Sequence, residues 1–358
     1  MKLSFVTLLL GVYYLATVAF GLHPVIVGQF DDANGELQVV LLDEPNNVVF
    51  AGGRNSLYKF DENLNLLGKI TTGPVLDGLT CNPSLPLVDC NDTQMMDNDA
   101  KVLLDNPQVP DTLLFCGSVK QGLCASVDKR TFDELHYLDA GHVYNFMGGK
   151  ASVSVLVSKY LSDARSPPVY PLYVAQQYDQ RPLRLSPPEY STRYINYSAV
   201  TGVMRIDLLR DDANQTSAKD VHPHVKATYP IRHLTIFEDD KFTYFVAIQR
   251  ESIFRKAPYG VHVSRMCKDD PNYGFIGARL QCQRGYTSFF LAEDLYFGPV
   301  SAQFAHRMDI ESGESALMLT FGTDRRAIYS WPRERSTGIP ILEQHSSEAI
   351  YLIHVQVM

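Results

Sequence analysis

Positive charge is scarce in this sequence. Lys and Arg number 32 against 40 Asp and Glu, a formal net charge of -8 at pH 7. That balance argues against a nucleic-acid partner, because neutralising phosphates needs a positive surface. Long apolar runs are also missing beyond Phe20. No later stretch reaches the roughly eighteen uninterrupted apolar residues of a spanning helix, and the chain stops at Val357-Met358 without a hydrophobic tail. No membrane span is expected, and the chain reads as a secreted, extracellular product. There is no CxxC pair to hold zinc. There is also no GxSxG elbow, P-loop or dinucleotide fingerprint, so no metal or cofactor is expected. With a single Trp, a large core has to be built from the 18 Phe, the 20 Tyr and aliphatic residues.

The amino terminus carries an address. Lys2 precedes an apolar run from Leu3 to Phe20, and Ala19-Phe20-Gly21 is a small-x-small site. This order is that of a cleaved secretory leader over residues 1–21, rather than an uncleaved anchor, with the mature chain beginning at Leu22. In an oxidising compartment the six cysteines are expected to form disulfides. Cys81 and Cys90 are nine positions apart and Cys116 and Cys124 eight, spacings that close local loops. Cys267 and Cys282 stand apart from them. Three sequons, at Asn91, Asn196 and Asn214, are each expected in an exposed loop bearing a glycan.

Short apolar runs broken by Gly, Asn, Asp and Pro fill residues 36–72: Leu37–Leu41, Val48–Ala51, Ser56–Phe60 and Asn65–Ile70. The rhythm predicts an antiparallel meander. It returns at Thr112–Cys116, Leu123–Val127 and Leu135–Leu138, and again at Val153–Val157, Pro171–Ala175 and Gly202–Ile206. Later members are Phe242–Ala247, Val261–Ser264, Ala316–Phe321 and Ala327–Trp331. Successive meanders of this size suggest an all-β fold made of propeller blades, of which about five can be counted. A β-sandwich followed by a second β domain is the architectural alternative. Residues 162–196 and 207–225 are rich in Pro, Ser, Arg, Tyr and Asp and are expected to be long surface loops.

Three sets of residues have the composition of chemical or contact sites. His222-Pro-His224, with His233 nearby, has the makings of a metal site but sits in a Pro-flanked polar stretch. The acidic pairs Asp239-Asp240, Asp269-Asp270 and Glu293-Asp294 offer the two carboxylates of a secreted propeller glycosidase. Neighbouring carboxylates in one turn point different ways, so they read as exposed loops and no catalytic role is assigned. Arg325, Arg326, Arg333 and Arg335 surround Trp331, a combination enriched at protein interfaces and a candidate contact patch.

The segment Val49-Phe-Ala-Gly-Gly-Arg-Asn-Ser-Leu-Tyr-Lys-Phe60 resembles the first blade of a sema domain. Thr72-Gly-Pro-Val-Leu-Asp77 follows, then the Cys81 and Cys90 loop, Asp97-Asn-Asp-Ala-Lys-Val-Leu-Leu104, and Leu114-Phe-Cys-Gly-Ser-Val-Lys-Gln-Gly-Leu-Cys124. This ordered series is similar to plexins more than to semaphorins. Ser264-Arg-Met-Cys-Lys-Asp-Asp-Pro271 and Tyr286–Leu291 continue the match. The resemblance runs over residues 36–332 and is strongest between 45 and 130.

It implies a sema-type propeller, seven-bladed in the family, over residues 22–358. It also implies a non-enzymatic module that binds a semaphorin or another sema-domain protein outside the cell. A soluble decoy without signalling is the related alternative. Two departures stand out. The plexin partners of Cys267 and Cys282 are missing, one position being occupied by Tyr329, so these two are expected either to pair with each other or to remain thiols. The final blades and later modules are not in this sequence, which is expected to be either a secreted short form or a fragment of a full-length plexin at the cell surface; exposed propeller edges would invite a homodimer.

Overall fold

The computed structural model describes residue 30 and residues 37–268, apart from 86–89, 91, 159–169, 210–216, 239–241, 251, 255 and 258. Beyond these it describes the strands 287–290, 303–309, 315–322 and 348–354.

The strands fall into sheets in chain order, each an antiparallel meander. The first holds β1 (Val39–Asp43), β2 (Val48–Gly53), β3 (Ser56–Asp61) and β4 (Leu66–Thr71). A two-stranded ribbon of β5 (Val75–Asp77) and β6 (Gln94–Met96) follows. The second sheet holds β7 (Ala100–Asp105), β8 (Thr112–Gly117), β9 (Cys124–Asp128) and β10 (His136–Tyr137). The third has β11 (Val153–Val157), β12 (Leu172–Gln176), β13 (Tyr190–Tyr197) and β14 (Met204–Leu208), with β15 (Ala218–Lys219) also on β13. The fourth has β16 (Arg232–Glu238), β17 (Phe242–Arg250), β18 (Tyr259–Cys267) and β19 (Thr287–Phe290). The fifth described sheet holds β20 (Gln303–Asp309), β21 (Ser315–Gly322) and β22 (Glu348–His354).

The first strands of successive sheets adjoin: β7 lies against β1 and β2, β11 against β7, β16 against β11, and β20 against β16. That is how propeller blades stand around an axis. It rules out a sandwich, in which two sheets cover one another and each keeps an outer face in solvent.

The second sheet shows why the sequence reads as it does. Side chains alternate along a strand, and here both faces are covered. Leu113 and Phe115 of β8 meet Phe50, Leu57 and Ile70 of the first sheet. Leu114 and Cys116 of the same strand meet Leu172, Val174 and Ile195 of the third. A strand buried on both sides needs a continuous apolar run, and Leu113-Leu-Phe-Cys116 is one. Burying a Phe side chain contributes about 2–3 kcal/mol, so truncating Phe115, 1 % exposed, to Ala would cost about 3–5 kcal/mol. The third sheet repeats the scheme, with Tyr173 and Ala175 turned towards Ile236 and Phe245 of the fourth.

Charged ties join the blades at one end of the sheets. Lys129, after β9, donates from Nζ to Asp43 Oδ2 at 2.9 Å and also reaches Asp105 at the end of β7. Lys268 Nζ lies 3.1 Å from Glu238 Oε2, which also accepts from Ser158 Oγ at 2.5 Å.

Two expectations are corrected. Residues 190–197 are not a surface loop but β13, with Ser191, Thr192 and Arg193 fully buried. Residues 207–225 include the end of β14, β15 and part of a short helix, Pro223–Lys226. The strands β7 and β16 also escaped the reading of the sequence.

Candidate recognition face

In each meander the second and third strands are joined at the end of the sheet where the chain also crosses to the next sheet. The turn after β2, the turn after β8 and the loops after β12 and β17 therefore share one face with the β5–β6 ribbon. Side chains from distant parts of the chain lock them together.

Asn55, after β2, accepts the Asn98 N–H at 2.7 Å, and Asn98 Nδ2 donates to Thr72 O at 3.0 Å. Asn98 Oδ1 accepts the Ser118 N–H of the β8–β9 turn at 2.9 Å. In that turn Gln121 Nε2 donates to Leu79 O at 2.7 Å and Cys81 O at 2.9 Å, docking the ribbon loop. Asp77 accepts the Lys120 N–H at 2.6 Å; burial pushes its carboxyl up, partly offset by this bond.

Arg181, in the β12–β13 loop, donates to Gln121 O and, at 3.1 Å, to Gly148 O. Gly122, at φ 77°, approaches Gly148 so closely that a Cβ would lie 2.1 Å from its carbonyl carbon, so only glycine fits.

Two disulfides reinforce this face. Cys116 and Cys124 face each other across β8 and β9, with Cα atoms 4.2 Å apart. Cys81 and Cys90 close the ribbon loop, with Cα atoms 5.3 Å apart. Asp92 joins these two sulfurs in the one cluster of metal-type ligands among the described residues, and its sulfurs are bonded to each other.

Between exposed charged residues such as Arg54 and Asp97, the face presents several apolar side chains. Leu76 and Met95 stand opposite each other on the ribbon, 46 % and 63 % exposed. Leu183 of the β12–β13 loop is 52 % exposed. In the β17–β18 loop Ile253 and Phe254 are 61 % and 74 % exposed. That loop is held from beneath by the buried Arg250, which donates to Phe254 O at 3.2 Å and to Thr228 O, and stacks over Tyr229 at 5.4 Å.

The residues singled out in the sequence are distributed differently. Asn196 is not in a loop: it lies in β13, half-buried, and its Nδ2 donates to Asp207 Oδ2 at 3.0 Å. Asn91 and Asn214 lie outside the described residues, as do Cys282, the Cys267 side chain and all three acidic pairs. Arg325, Arg326, Trp331, Arg333 and Arg335 fall between β21 and β22, also outside them. His222 and His224 have ring centroids 4.9 Å apart, but His233 is buried on β16, edge-on to Tyr190. Burial pushes its pKa down to about 3, keeping the imidazole neutral. Among the described residues no helix is long and apolar enough to cross a membrane.

Ile253, Phe254 and the Arg181–Gln121 seam were not picked out in the sequence. The available signal was an adjacent aliphatic–aromatic pair in a polar turn with Arg255 and Lys256.

No protein-family model matches the chain. Among solved structures, the full extracellular region of plexin A4 superposes with a TM-score of 0.62 at 19 % identity, covering 81 % of this chain and 32 % of that one. The fold is thus that of a sema-type β-propeller. Curated relatives agree: mouse (Mus musculus) Plexin-B2 is 27 % identical over 261 residues, or 69 % of this chain. Zebrafish (Danio rerio) Plexin-A4 is 25 % identical over 315 residues, or 82 % of it. The chain is a relative of the plexins. It spans 13 % and 16 % of the length of these two proteins.

Proposed function

We propose that this chain is an extracellular, non-enzymatic recognition module that binds a semaphorin or another sema-domain protein through its loop-bearing face. In this reading residues 1–21 are a leader and 22–358 belong to the sema-type domain. The family resemblance supports the partner class. The observation that carries the choice of face is the exposed Ile253–Phe254 pair, fixed from below by Arg250. Hot spots are large side chains buried at the centre of a contact, and this pair stands exposed where Arg250 holds the Phe254 backbone carbonyl. The basic Lys256 beside it suits an acidic rim on the partner.

The test is titration of the purified secreted chain over immobilised semaphorin ectodomains by surface plasmon resonance. Saturable binding that weakens at least tenfold in Ile253→Ser/Phe254→Ser is expected. Absence of saturable binding to any semaphorin would remove the partner assignment, and unchanged binding by the double variant would remove the face.

A further inference from the structure

The same face holds a second feature, independent of the Ile253–Phe254 pair. A cleft of about 170 Å³ lies between the Cys81–Cys90 loop and the β12–β13 loop. Its lining includes Ala140, Val143, Phe146 and Leu185, all apolar. Phe146 is 1 % exposed and belongs to the core between the second and third sheets, so the floor is fixed. The wall formed by the β12–β13 loop and the segment before Phe146 is held too. Leu185 N–H donates to Pro182 O at 2.8 Å, and Asn145 Nδ2 donates to Asp139 O at 2.7 Å.

The rim is polar, and Arg184 is the one charged residue of the lining, with the exposed Asp139 beside Gly141. Arg184 is exposed and forms no ion pair among the described residues. Across the cleft, Asn82 uses its side-chain oxygen to accept from Ser84 N at 3.1 Å and Ser84 Oγ at 2.8 Å. Among the described residues its amide hydrogens have no acceptor. A small cleft of mixed polar and apolar lining, with a guanidinium on one side and an amide on the other, suits an apolar side chain with a carboxylate beside it and a backbone carbonyl.

We propose that this cleft is a docking site for an extended segment of a protein partner that presents a Phe or Leu next to an Asp or Glu. The acid pairs with Arg184, the apolar side chain enters between Val143 and Leu185, and Asn82 binds the segment's backbone. An anionic surface without an apolar anchor meets only half of this site.

The full secreted chain is titrated by fluorescence polarisation against two labelled pentapeptides, Gly-Ser-Phe-Asp-Gly and Gly-Ser-Phe-Lys-Gly. Wild type is expected to prefer the acidic peptide at least tenfold. Arg184→Glu, an exposed substitution, is expected to reverse that preference. Gly141 lines the cleft, and Gly141→Leu adds bulk there, with the Asp139 side chain having to give slightly since a Cβ at Gly141 lies 3.2 Å from its Oδ1; the variant is expected to weaken the acidic peptide at least tenfold. Equal affinity for the two peptides, a preference that survives Arg184→Glu, or no saturable binding by wild type would each overturn the proposal. Neither substitution touches Ile253 or Phe254, so semaphorin binding is read separately on the same variants.

Discussion

Arg181 grips both carboxylate oxygens of Asp179, Nε to Oδ1 at 2.7 Å and Nη2 to Oδ2 at 2.7 Å, with the two side chains only 3 % and 4 % exposed. The pair would be a poor way to stabilise the molecule if it stood alone, because two desolvated charges roughly cancel their own attraction. It does not stand alone, since the same guanidinium donates to Gln121 O and Gly148 O and ties the second blade's turn to the third blade's loop. Burial raises the Asp179 carboxyl, but the hydrogen bonds and charge of Arg181 outweigh it and hold the group below its ordinary range.

Removing one partner strands a buried charge. Asp179→Asn is expected to cost about 3–5 kcal/mol in urea unfolding at pH 7. The depressed carboxyl fixes the sign with pH: this contribution is complete above the unfolded carboxyl's pKa and is lost as pH falls through the folded value. The gap between wild type and Asp179→Asn should therefore narrow in acid. A gap that stays constant from neutral pH down to pH 3 would show that the pair contributes no charge-dependent stability.

Glu189 behaves in the opposite way. It is 1 % exposed, and burial pushes its pKa up to about 8 even though Lys226 lies near and the Val221 N–H donates to it at 3.2 Å. Lys226 is committed to Asp220 at 2.6 Å. Between about pH 4.5 and pH 8 the folded chain thus keeps a proton that the unfolded chain has already released. Its stabilising effect is greatest below the unfolded pKa and fades as pH rises to the folded one. Relative to Glu189→Gln, wild type should lose up to about 1.4 kcal/mol per pH unit across that window. Parallel stability curves for the two proteins between pH 5 and pH 8 would count against a protonated Glu189.

The contrast between β8 and β13 shows what the sequence discloses. In β8 both faces meet aliphatic neighbours, so Leu113-Leu-Phe-Cys116 announces a buried strand. In β13 the buried centre is Ser191-Thr192-Arg193, a composition typical of loops. Arg193 is affordable inside because its Nη1 donates to Tyr144 O at 2.7 Å and Phe146 O at 3.2 Å, and its Nε to Ser191 Oγ at 2.7 Å. Those acceptors lie 47 and 49 positions away, beyond the reach of any local pattern. The recognition face is hidden for the same reason, since Asn55, Asn98, Gln121 and Arg181 meet only once the blades have stacked. Ile253 and Phe254 are hidden differently. Apolar residues are expected inside, and only the fold shows that these point out.

The Cys116–Cys124 bridge joins buried residues that already face each other across a hairpin. Closing a loop of eight positions removes less unfolded-chain entropy than a longer loop would, roughly 2–3 kcal/mol. Cys116→Ala/Cys124→Ala is expected to lower stability by about that amount, plus a smaller cost for lost packing, while the protein still folds. Since Gly117 and Gln121 lie between the two cysteines, the double variant should also loosen the recognition face. Amide exchange at Ser118, Gly122 and Gly148 should then speed up more than exchange in β17. Equal acceleration throughout the chain would mean that the bridge acts on global stability alone.

The Ile253–Phe254 loop gives the sharpest separation of stability from binding. Both side chains are mostly in solvent, so Ile253→Ser/Phe254→Ser should change folding stability by no more than about 0.5 kcal/mol. Arg250 is different, being 3 % exposed and bonded to the loop it supports and to Thr228 O. Arg250→Ala leaves those carbonyls without their donor and should both destabilise the fourth blade, by about 1–3 kcal/mol, and free the loop. If the pair binds as a rigid unit, Arg250→Ala weakens partner binding although Ile253 and Phe254 are intact, mainly through faster dissociation. If the two side chains act without that support, Arg250→Ala binds like wild type wherever it is folded, and the rigid-contact account fails while the contact residues themselves stand.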